Sequence, residues 1–274
     1  MKVFVSADLE GIGGVVSWND TIADRPGYAQ ACRWMTAEVA AACDVALDAG
    51  AERVVVADSH LHRQNLDLDA LPAAVEVVRA GPRALGMVHG VHEDAFDVVL
   101  CIGFHTGAHE DGLLNHTCNG AGFHEIRLDG VPADELDIYA RVAGLHGAPI
   151  GLVTGDRAIC ESAAARFPHI ETAIVKEHGA RMSGRVLTPA ASRSLIAQKT
   201  AAALARVDEL PVAAGDAPVD LEVEFSWHHP ADALELLPIF ERRGPSTIGY
   251  AAADMAAVSA ALEFLSTYVL VPYP

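Results

Sequence analysis

The sequence has no uninterrupted apolar run of the length that a membrane-spanning helix requires. It has no Cys-x-x-Cys pair either, because its five cysteines are scattered singly along the 274 residues. Such isolated cysteines are typical of reduced thiols in a reducing compartment. The amino terminus reaches Asp8 and Glu10 too soon to contain the apolar core of a secretory signal peptide. These absences together predict a cytoplasmic protein with no membrane segment.

Basic residues are also scarce. The chain carries 19 lysines and arginines against 37 aspartates and glutamates, which gives a formal net charge of −18. A surface with this balance repels phosphate backbones and anionic lipid headgroups, so nucleic acid and membranes are not expected as partners. The same charge attracts cations, and the ammonium end of a peptide is one substrate group that it would draw in.

The motifs of several common enzyme classes are missing. No G-x-x-x-x-G-K-[ST] occurs, and the glycines Gly11, Gly13 and Gly14 do not fit G-x-G-x-x-G, so a phosphate-binding loop is not favoured. No G-x-S-x-G nucleophile elbow occurs either.

Short β-branched runs alternate with longer alanine-rich amphipathic stretches along the chain. This pattern predicts an α/β fold with a mostly parallel sheet flanked by helices. The predicted strands cover residues 3–6, 53–57, 98–102, 150–153, 172–176, 221–225 and 247–251, and the predicted helices cover 29–47, 134–144, 158–166, 190–206 and 254 onward. The best linker candidate is 212–218. Residues 1–211 are therefore predicted to form the catalytic metal-binding domain, and 212–274 a smaller α+β C-terminal subdomain.

Three of the predicted strands end in side chains that bind metals. The first runs into Asp8 and Glu10, the second into His60, and the third into His105. Because sites in open α/β sheets form beyond the carboxyl ends of the strands, these four side chains are expected at one sheet edge. Two carboxylates and two imidazoles suit zinc or manganese. Taken singly, the acids could solvate a loop or cap a helix, and each histidine could be structural.

A glycine-rich segment, residues 103–122, carries His105, His109 and His116. Its glycines argue against a helix, so the segment is predicted to be a long loop over the site, where catalytic groups often lie. The alternative is a mobile surface loop whose histidines are exposed to solvent.

Four short motifs occur in order along the chain. S-x-D-x-E-G surrounds Asp8, D-S-H ends at His60, and G-[YF]-H ends at His105. The fourth, [SN]-H-[ST], centres on His116. In this combination and order the motifs resemble those of the DppA-like D-aminopeptidases, which are dinuclear zinc enzymes, and the likeness covers nearly the whole chain.

The resemblance implies two Zn²⁺ per subunit, with Mn²⁺ or Co²⁺ as substitutes. The ligands that it implies are Asp8, Glu10, His60, His105 and Glu135, the last at the helix start where the family has an acidic ligand. Asp8 would bridge the two ions, and Glu10 and His105 would complete one site. His60 and Glu135 would complete the other. A bridging carboxylate of this kind lets two cations share a water molecule and lower its pKa.

The resemblance also implies a catalytic role for His116, for which proton transfer or stabilisation of an oxyanion is the physical role that we favour. The implied reaction is release of the N-terminal residue, a D-amino acid, from short peptides or aminoacyl amides. The implied assembly is a homo-oligomer such as a decameric ring. One departure is Asp134, where the family usually has glycine. This second carboxylate beside Glu135 could compete for metal or change the pocket and its substrate preference.

Two other functions stay open from the residues alone. One is a metal-independent amidohydrolase, with Ser59 beside His60 or Cys118 beside His116 as the nucleophile. Adjacent side chains on a strand point in opposite directions, which disfavours a direct hydrogen bond between Ser59 and His60. The other is a non-catalytic α/β protein that binds a metal or a small molecule and turns over no dipeptide.

Overall fold

The structure, a computed structural model, describes residues 1–268 of the chain. Within them the strands are β1 (Lys2–Ala7), β2 (Arg53–Asp58), β3 (Val75–Val78), β4 (Val98–Phe104), β5 (Phe123–Leu128), β6 (Val131–Pro132), β7 (Ile150–Asp156), β8 (Glu171–Ala180), β9 (Ser183–Val186), β10 (Val219–Phe225), β11 (Glu241–Arg242) and β12 (Thr247–Ala252). The α-helices are α1 (Trp18–Thr21), α2 (Tyr28–Asp48), α3 (Glu135–Gly144), α4 (Arg157–Arg166), α5 (Pro189–Leu204), α6 (His229–Leu234) and α7 (Met255–Tyr268).

The larger sheet contains seven strands in the order β3-β2-β1-β4-β7-β8-β9. Every neighbouring pair is parallel except β8 and β9, which form an antiparallel hairpin at one edge. The central strands are buried along almost their whole length, as a parallel sheet covered on both faces requires. The predicted α/β fold, with a mostly parallel sheet flanked by helices, is confirmed.

Alternating side chains of β1 divide between two hydrophobic cores, one on each face of the sheet. Val3 and Val5 belong to a core that also contains Met35 of α2 and Ile196 of α5. Phe4, one position out of phase, belongs to the other core, which includes residues of α3, α7 and a second sheet. Each of these side chains is fully buried, and burial of one such side chain contributes roughly 1.5–3 kcal/mol.

The second sheet is antiparallel and has the strand order β11-β12-β10-β5-β6. Strands β5 and β6 precede residue 212 and the other three follow it, so both predicted domains contribute to this sheet. The segment 212–218 contains no helix or strand, although the carbonyl oxygen of Gly215 accepts a hydrogen bond from the Met255 amide at 3.0 Å. A domain boundary at residue 212 stays a prediction.

All the predicted strands and helices overlap elements of the structure, and the segment between Phe104 and Phe123 is a loop, as predicted. The strands that the sequence pattern missed include β3 and β9, which are edge strands with partly or fully exposed residues. Such strands lack the continuous apolar run by which a buried parallel strand is predicted. No helix in the described part of the chain has the length and apolarity needed to cross a membrane.

Candidate metal centre

The carboxyl ends of three neighbouring strands bring four of the predicted ligands together. Strands β2, β1 and β4 lie side by side, and Asp8 and Glu10 follow β1. His60 follows β2, and His105 follows β4. The fifth predicted ligand, Glu135, is the first residue of α3. All five residues are buried, and none exposes more than 6% of its surface.

Asp8 lies between the two histidines. Its Oδ1 is 3.4 Å from Nδ1 of His60, and its Oδ2 is 3.4 Å from Nε2 of His105. Glu10 Oε2 lies 2.8 Å from the same His60 nitrogen, and Glu135 Oε1 lies 3.5 Å from the same His105 nitrogen. Asp8, Glu10 and His105 also offer atoms within 4.8 Å of one another, so the cluster is compact. The shortest distances nevertheless group Glu10 with His60, whereas the family resemblance implied Glu10 with His105.

Backbone carbonyls fix the orientation of both imidazole rings. Nε2 of His60 lies 2.7 Å from the carbonyl oxygen of Thr21, and Nδ1 of His105 lies 3.0 Å from that of Thr106. A carbonyl oxygen only accepts hydrogen bonds, so each of these ring nitrogens is the donor. If the rings are neutral, the other nitrogen of each ring carries a lone pair that faces carboxylate oxygens. For His60 this nitrogen is Nδ1, and Glu10 Oε2 lies only 2.8 Å from it. Two acceptors at this distance need a proton or a metal ion between them.

Opposing effects set the protonation of this cluster. Burial alone would lower the pKa of His60, but Glu10 and Asp8 outweigh it and raise that pKa well above its usual value. Burial is likewise outweighed at His105, where Glu135 and Asp8 raise the pKa to about 10. Burial would raise the pKa of Asp8, yet the adjacent His105 and His60 hold it well below its usual range. Protons and divalent metals therefore compete for the same ring nitrogens.

His116 lies directly against the cluster. Its ring stacks on His105, with centroids 4.3 Å apart and planes 7° from parallel, and meets the edge of Trp18 at 5.6 Å. Nδ1 lies 2.8 Å from the Leu114 carbonyl oxygen and is the donor, so Nε2 carries the lone pair. Burial, and then the charge of His105, lower the pKa of His116 to about 4. His116, His105 and Glu135 also bring ligand atoms within 4.8 Å of one another, so His116 is placed to act on a substrate or a metal.

Lys176 and Glu38 fix the loop after β1, a role that the sequence pattern did not reveal. The buried Nζ of Lys176 donates to three backbone carbonyls of this loop, among them those of Glu10 and Val15. On α2, Glu38 accepts a hydrogen bond from the Gly13 amide at 3.1 Å. Burial lowers the pKa of Lys176 to about 8 and raises that of Glu38 to about 7. A lysine inside an apolar strand pattern was the available sequence signal.

Neither residue predicted as an alternative nucleophile is activated. Ser59 Oγ donates to backbone carbonyls, including that of Met87 at 3.0 Å, rather than to His60. Burial, and then the charge of Glu135, raise the pKa of the Cys118 thiol well above its usual value. A reactive cysteine needs the opposite, because the thiolate is the nucleophile. The geometry gives no support to a metal-independent mechanism at either position.

The second carboxylate beside Glu135 is engaged by other groups. Asp134 caps α3 by accepting a hydrogen bond from the Asp137 amide at 2.8 Å. Arg166 donates to both of its carboxylate oxygens, at 3.0 and 2.7 Å. Asp134 is therefore a structural residue and not part of the converging group. His109, the third histidine of the glycine-rich loop, is exposed and lies outside that group too.

A cleft of about 790 Å³ adjoins the cluster. The predicted ligands and His116 line it, together with apolar side chains that include Trp18, Ile22 and Leu61. Ile22 is 40% exposed and Leu61 is 58% exposed, so apolar surface is available to a ligand in the cleft. A cleft of this size accommodates a short peptide or an aminoacyl amide.

Gly103 lets the loop that carries Asp8 pass close to the end of β4. Its φ is +79°, and a Cβ atom here would lie 2.2 Å from the carbonyl oxygen of Asp8. We expect Gly103→Ala to lower the free energy of unfolding by at least about 1 kcal/mol through backbone conformation alone, and further through the clash. Thermal unfolding measures the loss, and metal analysis shows whether displacement of Asp8 also lowers zinc content.

The matched control is Gly50→Ala. Gly50 has a φ of +84° but no atom within 4 Å of a Cβ position, so this substitution carries the backbone strain without the clash. The melting temperature should fall further for Gly103→Ala than for Gly50→Ala. Equal shifts would show that the approach of the Asp8 loop to Gly103 is unimportant.

Three comparisons with known proteins all find similarity to D-aminopeptidases. The family model described as D-aminopeptidase, a peptidase family, matches residues 1–264. The D-aminopeptidase of Bacillus subtilis (strain 168) is 31% identical over 259 residues, which cover 93% of each chain. The solved structure of the Zn-dependent D-aminopeptidase DppA from Bacillus subtilis, described as a self-compartmentalizing protease, covers 100% of both chains with a TM-score of 0.93 and 27% identity. With its motifs, its fold and nearly its whole length accounted for, the chain belongs to the D-aminopeptidase family of peptidases.

Proposed function

We propose that this chain is a metal-dependent aminopeptidase that releases the N-terminal residue, a D-amino acid, from short peptides or aminoacyl amides through a dinuclear zinc centre. The observation that carries the proposal is the convergence of three buried carboxylates on the inward-facing nitrogens of two histidines. The reaction class rests on family membership. The choice of zinc is supported by the Zn-dependent relative of the same fold.

The donor set of the cluster fits zinc, which prefers imidazole nitrogen and carboxylate oxygen in sites of this kind. Glu10 Oε2 and His105 Nε2 are buried and have no hydrogen-bond partner, which is unfavourable unless a cation satisfies them. In this proposal Asp8 would contribute a ligand to both Zn²⁺ ions, for which Mn²⁺ or Co²⁺ would substitute. Glu10 and His60 would hold one ion, and Glu135 and His105 would hold the other.

The chain's own contribution to the reaction is assigned to His116. When bound, the two ions would act as Lewis acids on the scissile carbonyl and lower the pKa of a shared water molecule. His116 lines the cleft as a neutral imidazole whose Nε2 lone pair is available, because Nδ1–H is donated to the Leu114 carbonyl. Such a ring can accept the proton that the attacking water loses and return it to the leaving amine.

The charge of the molecule suits a substrate with a free amino terminus. The net charge of −18 and the carboxylates beside the cleft favour a cationic ammonium group over an anionic substrate end at the metal centre. The preference for a D-residue rests on the family, since chirality is selected by the shape of the cleft. All five cysteines are free thiols, which supports the proposed cytoplasmic location.

We also propose that the chain forms a homo-oligomer. Leu236 is 80% exposed, Leu237 42% and Ile239 61%, so one short surface segment presents several large apolar side chains to solvent. Contiguous exposed apolar surface of this kind commonly marks a protein interface. The description of the relative as a self-compartmentalizing protease supports an enclosed assembly, and a decameric ring is the form that we expect.

Exhaustive chelation is expected to abolish hydrolysis of D-aminoacyl amides and dipeptides, and added Zn²⁺ to restore it. The assay compares a matched panel of D- and L-substrates before chelation, after chelation and after reconstitution, with metal analysis at each stage. Full activity after metal removal would identify a metal-independent hydrolase. Bound zinc without turnover of any substrate would identify a non-catalytic binding protein. Either result would overturn the proposed function.

A further inference from the structure

Arg181, in the turn between β8 and β9, is a cleft-lining arginine without an acidic partner in the described part of the chain. The cleft contains one other arginine, Arg63, whose two terminal nitrogens are both held by Glu263. Arg181 instead donates Nε to Asn115 Oδ1 at 2.8 Å and Nη2 to the Asn115 carbonyl oxygen at 3.0 Å. Arg181 is exposed at the cleft, so its charge is available to an anionic ligand there even though the chain as a whole carries a net charge of −18.

Ring contacts connect the metal centre with Arg181. His105 stacks on His116 at 4.3 Å, and His116 meets Trp18 at 5.6 Å. The guanidinium carbon of Arg181 lies 5.6 Å from the Trp18 ring centroid. All four residues line the same cleft, so they form one wall of it. At about 3.3–3.6 Å per residue, a peptide of roughly two to four residues would extend along such a wall.

We propose that Arg181 binds the free C-terminal carboxylate of short peptide substrates, an inference that rests on the proposed function. A peptide whose amino-terminal residue lies at the metal centre would extend past His116 and Trp18 with its carboxylate toward the guanidinium. Arginine matches a carboxylate with a planar set of donors, and the two hydrogen bonds to Asn115 hold this one in place, while Nη1 makes no hydrogen bond within residues 1–268. Arg181 thus selects short peptides with a free carboxyl terminus over amides and longer chains.

A purely structural role for Arg181 makes a different prediction. Its carbonyl oxygen accepts a hydrogen bond from the Leu114 amide at 2.8 Å, and its side chain holds Asn115, the residue before His116. If Arg181 only positioned the His116 loop, its loss would slow every substrate by the same factor. A carboxylate-binding role affects only those substrates that carry a carboxylate.

The test uses steady-state kinetics on a D-alanyl dipeptide and a D-alanyl tripeptide, each as the free acid and as the C-terminal amide. We expect Arg181→Ala to lower kcat/KM for the free acids by roughly 10- to 100-fold, mainly through KM, the size expected for a lost hydrogen bond to a charged group. The amides should lose much less than the acids, and their turnover confirms that the variant is folded. Arg181→Lys should retain part of the preference, since it keeps the charge but loses the planar donors.

The matched control is Arg185→Ala. Arg185 lies on β9 near the same turn, is 82% exposed, and pairs with Glu177 outside the cleft. The Arg185→Ala substitution should leave kcat/KM for both the free acids and the amides unchanged. Equal losses on acids and amides in Arg181→Ala, or the same loss of preference in Arg185→Ala, would overturn the inference while leaving the aminopeptidase function in place. Failure of the wild-type protein to hydrolyse any of the four substrates would instead overturn the proposed function itself, and this inference with it.

Discussion

Replacing Asp8 by alanine is expected to empty both metal positions and to reduce hydrolysis to the background rate. The two carboxylate oxygens of Asp8 face different histidines, each at 3.4 Å, so its removal takes one ligand from each proposed zinc site. Removal of a ligand costs far more than the 10–100-fold loss in metal affinity that follows substitution of an outer partner. Zinc content and activity toward a D-aminoacyl amide are the measurements.

Two further variants make the Asp8 result specific. Asp8→Asn keeps the size of the side chain and serves as a check on folding, but its neutral amide is a poor bridge between two cations. Glu10→Gln removes a ligand from only one proposed site, because Glu10 Oε2 lies 2.8 Å from Nδ1 of His60, whereas the carboxylates paired with Nε2 of His105 are those of Asp8 and Glu135. It should therefore retain more zinc than either Asp8 variant. An Asp8→Ala protein that still bound two zinc ions would contradict the bridging role.

His116→Ala is expected to lower kcat by roughly 10²–10⁴-fold, the usual contribution of a general acid or base, while leaving zinc content unchanged. The ring of His116 stacks on His105 at 4.3 Å, close enough to reach a substrate at the metal centre. His116 is not one of the proposed zinc ligands. Because the effect is assigned to the chemical step, kcat should change more than KM.

His109→Ala is the control for this prediction. His109 belongs to the same glycine-rich loop, but it is exposed and does not line the cleft. Its substitution should leave both kcat and zinc content at the wild-type level. Loss of zinc together with activity in His116→Ala would show that His116 is a ligand, an arrangement that its approach to His105 and Glu135 also permits.

The main elements of the fold could be predicted because their patterns follow from burial. Strand β1 is buried on both faces and therefore forms a continuous apolar run, whereas α2 buries Met35 and Val39 on one helical face, so each shows the pattern typical of its structure. Strand β5 was missed because its buried side chains, Phe123, Ile126 and Leu128, are irregularly spaced and because its partner β10 lies about ninety residues later in the chain. Pairing at that separation depends on tertiary contacts that no local pattern records.

Part of the candidate site could also be predicted, because its residues follow strands that the local pattern identifies. Asp8, His60 and His105 follow neighbouring parallel strands, and the carboxyl ends of such strands meet at one edge of a sheet. Glu135 is the first residue of α3 and does not follow a strand of the larger sheet, so only the family resemblance indicated it as a ligand. Lys176 was not predicted to support the ligand loop, since its three carbonyl partners lie more than 160 residues away in sequence.

The sequence by itself determined which side chains are candidate ligands and that most of them meet at one edge of the sheet, because strand ends follow from local patterns and the carboxyl ends of parallel strands lie at one edge. Only the tertiary structure decided how close the candidate ligands lie to one another and which ring nitrogens face the carboxylates. Those orientations depend on the carbonyl oxygens of Thr21 and Thr106, one of them 39 residues from the histidine that it holds. It also decided that Asp134 pairs with Arg166 while Arg181 donates hydrogen bonds to Asn115, since such contacts form between side chains that only folding brings together.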